Sequence, residues 1–280
     1  MRVFPFEKYH GLGNDFIIID VRQNPEFSSQ VLNQVKDLCD RRFGIGADGV
    51  LLIYPHVEAD ARIEIYNSDG SRPEMCGNGI RCVASFLASA KFPREKKSVV
   101  SILTDAGLKK CEVFAGDKPE EVEVSVEMGV PSFRLADLPC MGTLSPDGYL
   151  QLQDFKTIPL SMGNPHAVIF VEKDPTNLAK QFGSQLENDV AFPKRCNIEF
   201  ARQLGPRHFE VGVWERGCGI TLACGTGACA VVAAAVQCGI VRSPGEVRVD
   251  LPGGSLFITV TDLIKPVIMR GSATHVFSGK

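Results

Sequence analysis

Apolar and polar positions recur with two different periods along the 280-residue chain. Residues 61–66, 122–128 and 209–214 carry alternating apolar side chains, the period of strands with one buried face. Residues 247–251 and 256–260 flank a Pro-Gly-Gly turn in the manner of a hairpin. Between these, residues 228–236 are apolar on every face and stop before Gly239, a natural residue to end a helix. Such a helix must be enclosed on all sides. Residues 80–90, with Val83, Ala84, Phe86 and Leu87 and a stop before Pro93, predict a second helix. Val31, Leu32, Val35 and Leu38 fall on one face of a surface helix expected over 28–42.

The pattern repeats itself. Asn14, ahead of the apolar run 17–19, matches Asn164, ahead of 168–171, at an offset of 150 residues. Asp48 falls against Asn197 at 149, and Ile63, Ile65, Tyr66 and Asn67 fall against Val211, Val213, Trp214 and Glu215 at 148. Cys76-Gly77-Asn78-Gly79 and Cys224-Gly225-Thr226-Gly227 are also 148 residues apart, each at the head of a helix. Four collinear matches make a duplicated fold the better reading than chance. The expected architecture is α+β: two pseudo-symmetric domains, each a curled β-sheet or barrel wrapped around one central buried helix, with an active site in the cleft between them. The domains are expected at 1–127, completed by a C-terminal strand over 267–280, and at 128–266.

Composition narrows the partners. An apolar content of 44% supports a sizeable core, and a net charge of −3 favours no polyanion. The basic cluster from Lys91 to Lys97 contains Pro93 and Glu95 and reads as solvated charge at a helix end, so no nucleic-acid partner is expected. The N-terminus lacks a secretory pattern, and the longest apolar run is broken by Gln237, which predicts a cytoplasmic protein without a membrane partner. Ten cysteines in such a protein read as thiols. None forms a CxxC pair, and Cys218, Cys224 and Cys229 have poor zinc spacing, so no metal is expected. No dinucleotide fingerprint, phosphate loop or serine elbow occurs.

The two glycine-flanked cysteines carry the chemistry. A glycine after each cysteine lets backbone approach a ligand closely, and the helix start presents free N–H groups and a positive dipole end. That suits a carboxylate with a thiol beside it. Two such sites facing each other would put the carbon next to the carboxylate between two sulfurs, the arrangement needed to invert an amino-acid α-carbon. A helix start contributes about 0.3–1 kcal/mol, up to about 2, roughly one pKa unit against a free thiol near 8.5. A neighbouring base or a dry cleft must supply the rest, and His166 and Glu215 are the candidates. The other eight cysteines lack the repeated context and read as packing.

At these residues the sequence resembles the diaminopimelate epimerases. Glu74-Met75-Cys76-Gly77-Asn78-Gly79-Ile80-Arg81-Cys82 and Ala223-Cys224-Gly225-Thr226-Gly227-Ala228 look like the two signatures of that family, and motifs at 10–16, 44–49, 67–71, 162–167 and 214–217 follow in family order. The resemblance implies an isomerase without pyridoxal phosphate or metal that interconverts LL- and meso-2,6-diaminopimelate, a precursor of lysine and of peptidoglycan cross-links. It implies Cys76 and Cys224 as the acid–base pair, supported by His166 and Glu215. Gly77, Asn78, Gly225 and Thr226 would hold the reacting carboxylate, and Asn14, Asn67, Asn164, Asn197, Glu215 and Arg216 would read the substrate. It further implies a homodimer and no cofactor.

The sequence departs from the common family pattern at Gly49, Asp189, Ile220 and Ser272, none a catalytic position. A proline or hydroxyproline racemase is the same-class alternative. Those enzymes typically show histidine after the first Cys-Gly and Asp-Arg-Ser-Pro before the second motif, where this chain has Asn78 and Thr221-Leu222-Ala223. A non-enzymatic amino-acid-binding module and a dithiol redox protein are the readings from other classes.

Overall fold

A computed structural model describes residues 4–73, 75–89, 96–116 and 121–280. Glu74, Ala90 and most of the basic cluster, with Pro93 and Glu95, lie outside the described residues. The chain divides into two compact units, Met1–Val126 with Arg270–Lys280, and Glu127–Met269.

The first unit contains β1 (Phe6–Gly11), β2 (Asn14–Asp20), α1 (Phe27–Leu32), α2 (Val35–Cys39), β3 (Gly49–Tyr54), β4 (Ala61–Asn67), α3 (Gly77–Ser89), β5 (Lys97–Thr104), β6 (Gly107–Ala115) and most of β7 (Glu121–Gly129). The second contains β8 (Leu150–Leu152), β9 (Phe155–Ser161), β10 (Pro165–Phe170), α4 (Pro175–Glu187), β11 (Asn197–Gly205), β12 (His208–Glu215), β13 (Gly219–Ile220), α5 (Gly225–Gln237), β14 (Glu246–Leu251) and β15 (Gly254–Thr259). The final strand β16 (Val267–Gly279) starts in the second unit and ends in the first. In the first unit the strand order runs from β1 through β7 to β16, and β16 pairs back with β1 to close an eight-stranded barrel.

Both units repeat one sequence of pairings. The pairs β1–β2, β2–β3, β3–β4, β4–β5 and β5–β6 are antiparallel, parallel, antiparallel, parallel and antiparallel. The pairs β9–β10, β10–β11, β11–β12, β12–β14 and β14–β15 have the same senses in the same order. The register corrects one sequence match. Val50 faces Tyr66 and Ile198 faces Trp214, an offset of 148 on both strands. Phe16 pairs with Gly49 as His166 pairs with Asn197, so Gly49, not Asp48, is the counterpart of Asn197.

The central strands are covered on both faces, which decides where each side chain points. Ile17, Ile19, Val50 and Leu52 pack outward against Val31, Val35 and Cys39. In the second unit Ala167, Ile169, Ile198 and Phe200 pack with Ala179 and Leu186 of α4. Alternation then aims Ile18, Leu51, Val168 and Glu199 at the opposite face, towards α3 and α5. Burying a leucine or isoleucine there stabilises the fold by about 1.5–3 kcal/mol each.

The surface helix expected over 28–42 is two short helices instead. Gln34 N bonds Val31 O at 2.9 Å, a tightened turn, and Gln34 has left helical geometry at φ −118°, ψ 6°. Val31 and Val35, on either side of the break, both lie in the core and Leu38 packs against that cluster, while Leu32 stays exposed. By contrast α5 is enclosed as its composition requires: all residues from Ala228 to Ala235 are fully buried. It ends where Gly239 adopts φ +71°, with Gly239 N bonding Val236 O and Ile240 N bonding Ala235 O, a Schellman closure. The hairpin expected around Pro252 is present, with Leu251 paired to Gly254.

Candidate active site

Each cysteine of the repeated motif caps a buried helix. Gly79 N–H donates to Cys76 Sγ at 3.4 Å, and Gly227 N–H donates to Cys224 Sγ at 3.4 Å. Ile80 N and Ala228 N bond the carbonyls of Cys76 and Cys224, both at 3.0 Å. A side-chain acceptor at the cap satisfies one of the orphan donors of the first turn, and sulfur does so here in place of the usual oxygen. Gly77 and Gly225 are the first helical residues beside the sulfurs.

In the first unit Asn14, Cys76 and Asn78 come together. Cys76 Sγ donates to Asn14 Oδ1 at 3.8 Å, and Asn78 Nδ2 donates to the same oxygen at 3.0 Å. Asn14 Nδ2 donates to Asp48 Oδ2 at 2.8 Å, which fixes the direction of the amide because a carboxylate only accepts. Asp48 also accepts from Arg41 at 2.8 Å, and Arg41 and Lys8 each lie 2.6 Å from Asp15. Burial opposes ionisation of Asp15 most, yet these cations hold its carboxyl down to about 2. Asn67, at the end of β4, spends its amide on Ser71 Oγ at 2.9 Å.

The second unit gathers Asn164, His166, Cys224 and Thr226. Thr226 Oγ1 lies 3.6 Å from Cys224 Sγ and accepts from Asn164 Nδ2 at 3.4 Å. His166 is fully buried, with Nε2 2.9 Å from Asn164 Oδ1 and Nδ1 2.7 Å from Glu199 Oε1. Both ring nitrogens are therefore engaged away from the sulfur. Asn197 donates to Pro165 O at 2.8 Å and accepts from Arg216 N at 2.9 Å, tying the start of β10 to the end of β12. Burial pushes the Cys224 thiol well up, and the charges of Glu215 and Glu199 push it further; only Thr226 and Gly227 oppose them. Glu215 thus acts on Cys224 as a charge that disfavours thiolate.

Two of the remaining cysteines show what packing alone does. Burial moves Cys39 up to about 11 and Cys82 up to about 12, so both stay protonated. Among the described residues, no group of three or more His, Cys, Asp or Glu side chains is arranged to hold a metal ion.

Sequence reasoning assigned no role to Glu199, Asp48 or the fully buried Arg81, whose Nε donates to Ser272 O on β16 at 3.1 Å. For Glu199 a signal existed: a carboxylate between Ile198 and Phe200 in a strand buried on both faces has no water to point at. Reading it required knowing that both faces are covered.

The strand order and the pair of cysteine caps define a duplicated epimerase-type α+β fold. A solved hydroxyproline epimerase from Agrobacterium vitis superimposes with a TM-score of 0.69 over 99% of this chain and 91% of that one; at 13% identity the likeness concerns fold alone. The family model described as diaminopimelate epimerase matches residues 6–134 and 159–276, and the chain belongs to that family. A diaminopimelate epimerase of Elusimicrobium minutum is 44% identical over 285 residues, covering 98% of both chains. One from Gloeothece citriformis is 42% identical over 281 residues, covering 98% of this chain and 97% of its own.

Proposed function

We infer that the chain is an isomerase that interconverts LL- and meso-2,6-diaminopimelate, a step of lysine biosynthesis. The observation that carries the chemistry is the repetition of one device in both units: a sulfur capping a buried helix, whose second residue is hydrogen-bonded to an asparagine at the head of the equivalent strand, Asn78 to Asn14 and Thr226 to Asn164. Membership of the family and relatives above 40% identity support the substrate. Cys76 and Cys224 act as the two bases. One thiolate takes the α-proton, leaving a carbanion stabilised through the carboxylate, and the other thiol delivers its own proton to the opposite face. Each turnover exchanges which sulfur carries hydrogen, so no net proton is gained or lost.

The reading assigns the carboxylate to the first-turn N–H groups of Gly77, Asn78, Gly225 and Thr226, where the helix dipoles add about 0.3–1 kcal/mol each. Asn14, Asn67, Asn164, Asn197, Glu215 and Arg216 read the rest of the substrate. A guanidinium fork at Arg216 suits the distal carboxylate, and carbonyl or carboxylate acceptors suit the distal ammonium. His166 supports Cys224 from behind Asn164. Within this reading the enzyme is cytoplasmic, needs no cofactor or metal, binds neither nucleic acid nor membrane, and forms a homodimer. No helix among the described residues is long and apolar enough to cross a membrane.

Incubating pure protein with LL-diaminopimelate in D₂O tests the proposal. Deuterium should enter one α-carbon as meso product appears. Absence of exchange would sink it, and exchange on proline instead would select the alternative racemase. Size measurement in solution tests the dimer.

A further inference from the structure

Five side chains of the second unit form an unbroken line from a buried carboxylate to a thiol. Glu199 Oε1 meets His166 Nδ1 at 2.7 Å, with neither side chain exposed. His166 Nε2 meets Asn164 Oδ1 at 2.9 Å, Asn164 Nδ2 meets Thr226 Oγ1 at 3.4 Å, and Thr226 Oγ1 meets Cys224 Sγ at 3.6 Å. Glu199 also lies directly beneath the capped helix, where a methyl group on Gly227 would sit 2.9 Å from its Oε1.

With the Asn164 oxygen turned to His166 and its amide nitrogen to Thr226, the positions of the hydrogens follow. An amide oxygen only accepts, so His166 Nε2 carries a hydrogen. The contact at Nδ1 then needs another, on Nδ1 or on Oε1. The Glu199–His166 pair therefore holds one proton more than a neutral ring beside a carboxylate. Burial favours this count, because the pair is then neutral overall, and Glu199 Oε2 has no hydrogen-bond partner to support a full charge. At the other end Thr226 Oγ1 already accepts from Asn164, so its own hydrogen is free to turn to the sulfur.

We propose that Glu199 is a positioning residue for epimerisation: by letting His166 keep both ends of its ring in hydrogen bonds, it orients Asn164 and aims the Thr226 hydroxyl hydrogen at Cys224 Sγ. This deepens the reading of Cys224 as an acid–base residue and rests on it. The sulfur then receives two donors, Gly227 N–H and Thr226 O–H, a set that suits thiolate. With one ring hydrogen fewer, held at Nδ1, the polarity runs the other way. Nε2 accepts from the Asn164 amide, Asn164 Oδ1 accepts from Thr226, and Cys224 faces a lone pair that suits S–H.

Glu199→Leu, which installs the side chain that Leu51 supplies in the other unit, separates this polarity from simple charge, because a glutamine amide could itself donate to His166 Nδ1 and keep Nε2–H facing Asn164. The carboxylates that act on Cys224 are Glu215 from β12 and Glu199 from β11, and a bare negative charge at Glu199 raises the thiol. If charge were the whole effect, the variant would ionise Cys224 more easily. If Glu199 works through the line of hydrogen bonds, the variant ionises it less easily.

The measurement is the pH dependence of Cys224 carbamidomethylation by iodoacetamide, followed by peptide mass. We expect Glu199→Leu to move the midpoint up by about one unit, about tenfold slower labelling at neutral pH, with kcat falling about as far and KM changing little. Thr226→Val should shift the midpoint the same way, and the double variant no further, because both cut one line. An unmoved or lowered midpoint in Glu199→Leu, or additive shifts in the double variant, overturns the proposal. Should Glu199→Leu fail to fold, Glu199→Met in the same assay carries the same two outcomes. Because labelling needs no substrate, a wild-type protein inert on diaminopimelate would overturn the substrate and leave this test standing.

Discussion

The two capped helices share a backbone plan and differ in the polarity of what meets the sulfur. Around Cys76 the hydrogen bonds run towards Asn14: Asn78 donates to it, the thiol donates to it, and Asp48 holds its amide in that direction. Around Cys224 they run the opposite way, from Asn164 to Thr226. Beneath the helices the difference is one of chemistry. Leu51 underlies Gly79, whereas Glu199 underlies Gly227. Duplication supplied two equivalent thiols, and a few substitutions on the inward strand faces made them unequal. Under the proposed mechanism the pair exchanges roles as acid and base, which asks not for identity but for proton affinities near enough that each can serve either face.

The largest effect expected removes the sulfurs. Cys76→Ala and Cys224→Ala should each lower net epimerisation by about a thousandfold or more with unchanged circular dichroism. Activity retained in either would reduce the pair to a single base. Next comes the floor beneath each helix. Gly227→Ala places a methyl 2.9 Å from Glu199 Oε1 and 3.2 Å from Cys224 Sγ, and should cost about 1–3 kcal/mol in urea unfolding. Gly79→Ala meets Leu51 Cδ2 at 3.3 Å; a helix-propensity gain of about 1 kcal/mol offsets that crowding and leaves stability nearly unchanged. Equal losses at the two glycines would erase the distinction between the floors.

A smaller effect tests the fixed amide of the first unit. Asp48→Asn offers Asn14 a donor as well as an acceptor, so the orientation facing Cys76 is no longer enforced; kcat should fall about tenfold, less than for either cysteine variant. An unchanged kcat would show that Asp48 does not hold Asn14 in its working direction. The smallest effect is on acid stability. The folded-state value of Asp15 lies below its ordinary one, so its contribution is complete above about pH 4 and disappears as pH falls through about 2. The urea midpoint should drop across that window, and Asp15→Asn should flatten the drop.

Legibility in the sequence followed locality. The strands at β4, β7 and β12, the hairpin β14–β15 and the all-apolar helix α5 were readable because period and turn chemistry are properties of neighbouring residues. The break in the helix expected over 28–42 was not, because Val31 and Val35 share the buried face with or without it and the apolar period carries no sign of the turn at Gln34. The Asp48 match failed by one residue for a related reason. Similarity between two polar residues, Asp48 and Asn197, suggested it, but pairing across strands sets the register, and pairing is long-range.

The sequence by itself determined the duplication, the order of the main elements, the two capping cysteines and the family, since all of these are written in spacing and motif. Tertiary structure decided which way the hydrogen bonds around each sulfur run. Glu199 reads in the sequence as one charge on an alternating strand; only the covering of both faces of β11 turns it inward onto His166. Leu51, at the same place in the other half, meets the same burial without a polar group to satisfy. Burial multiplies the consequence of a single polar side chain, and burial is a property of the folded chain alone.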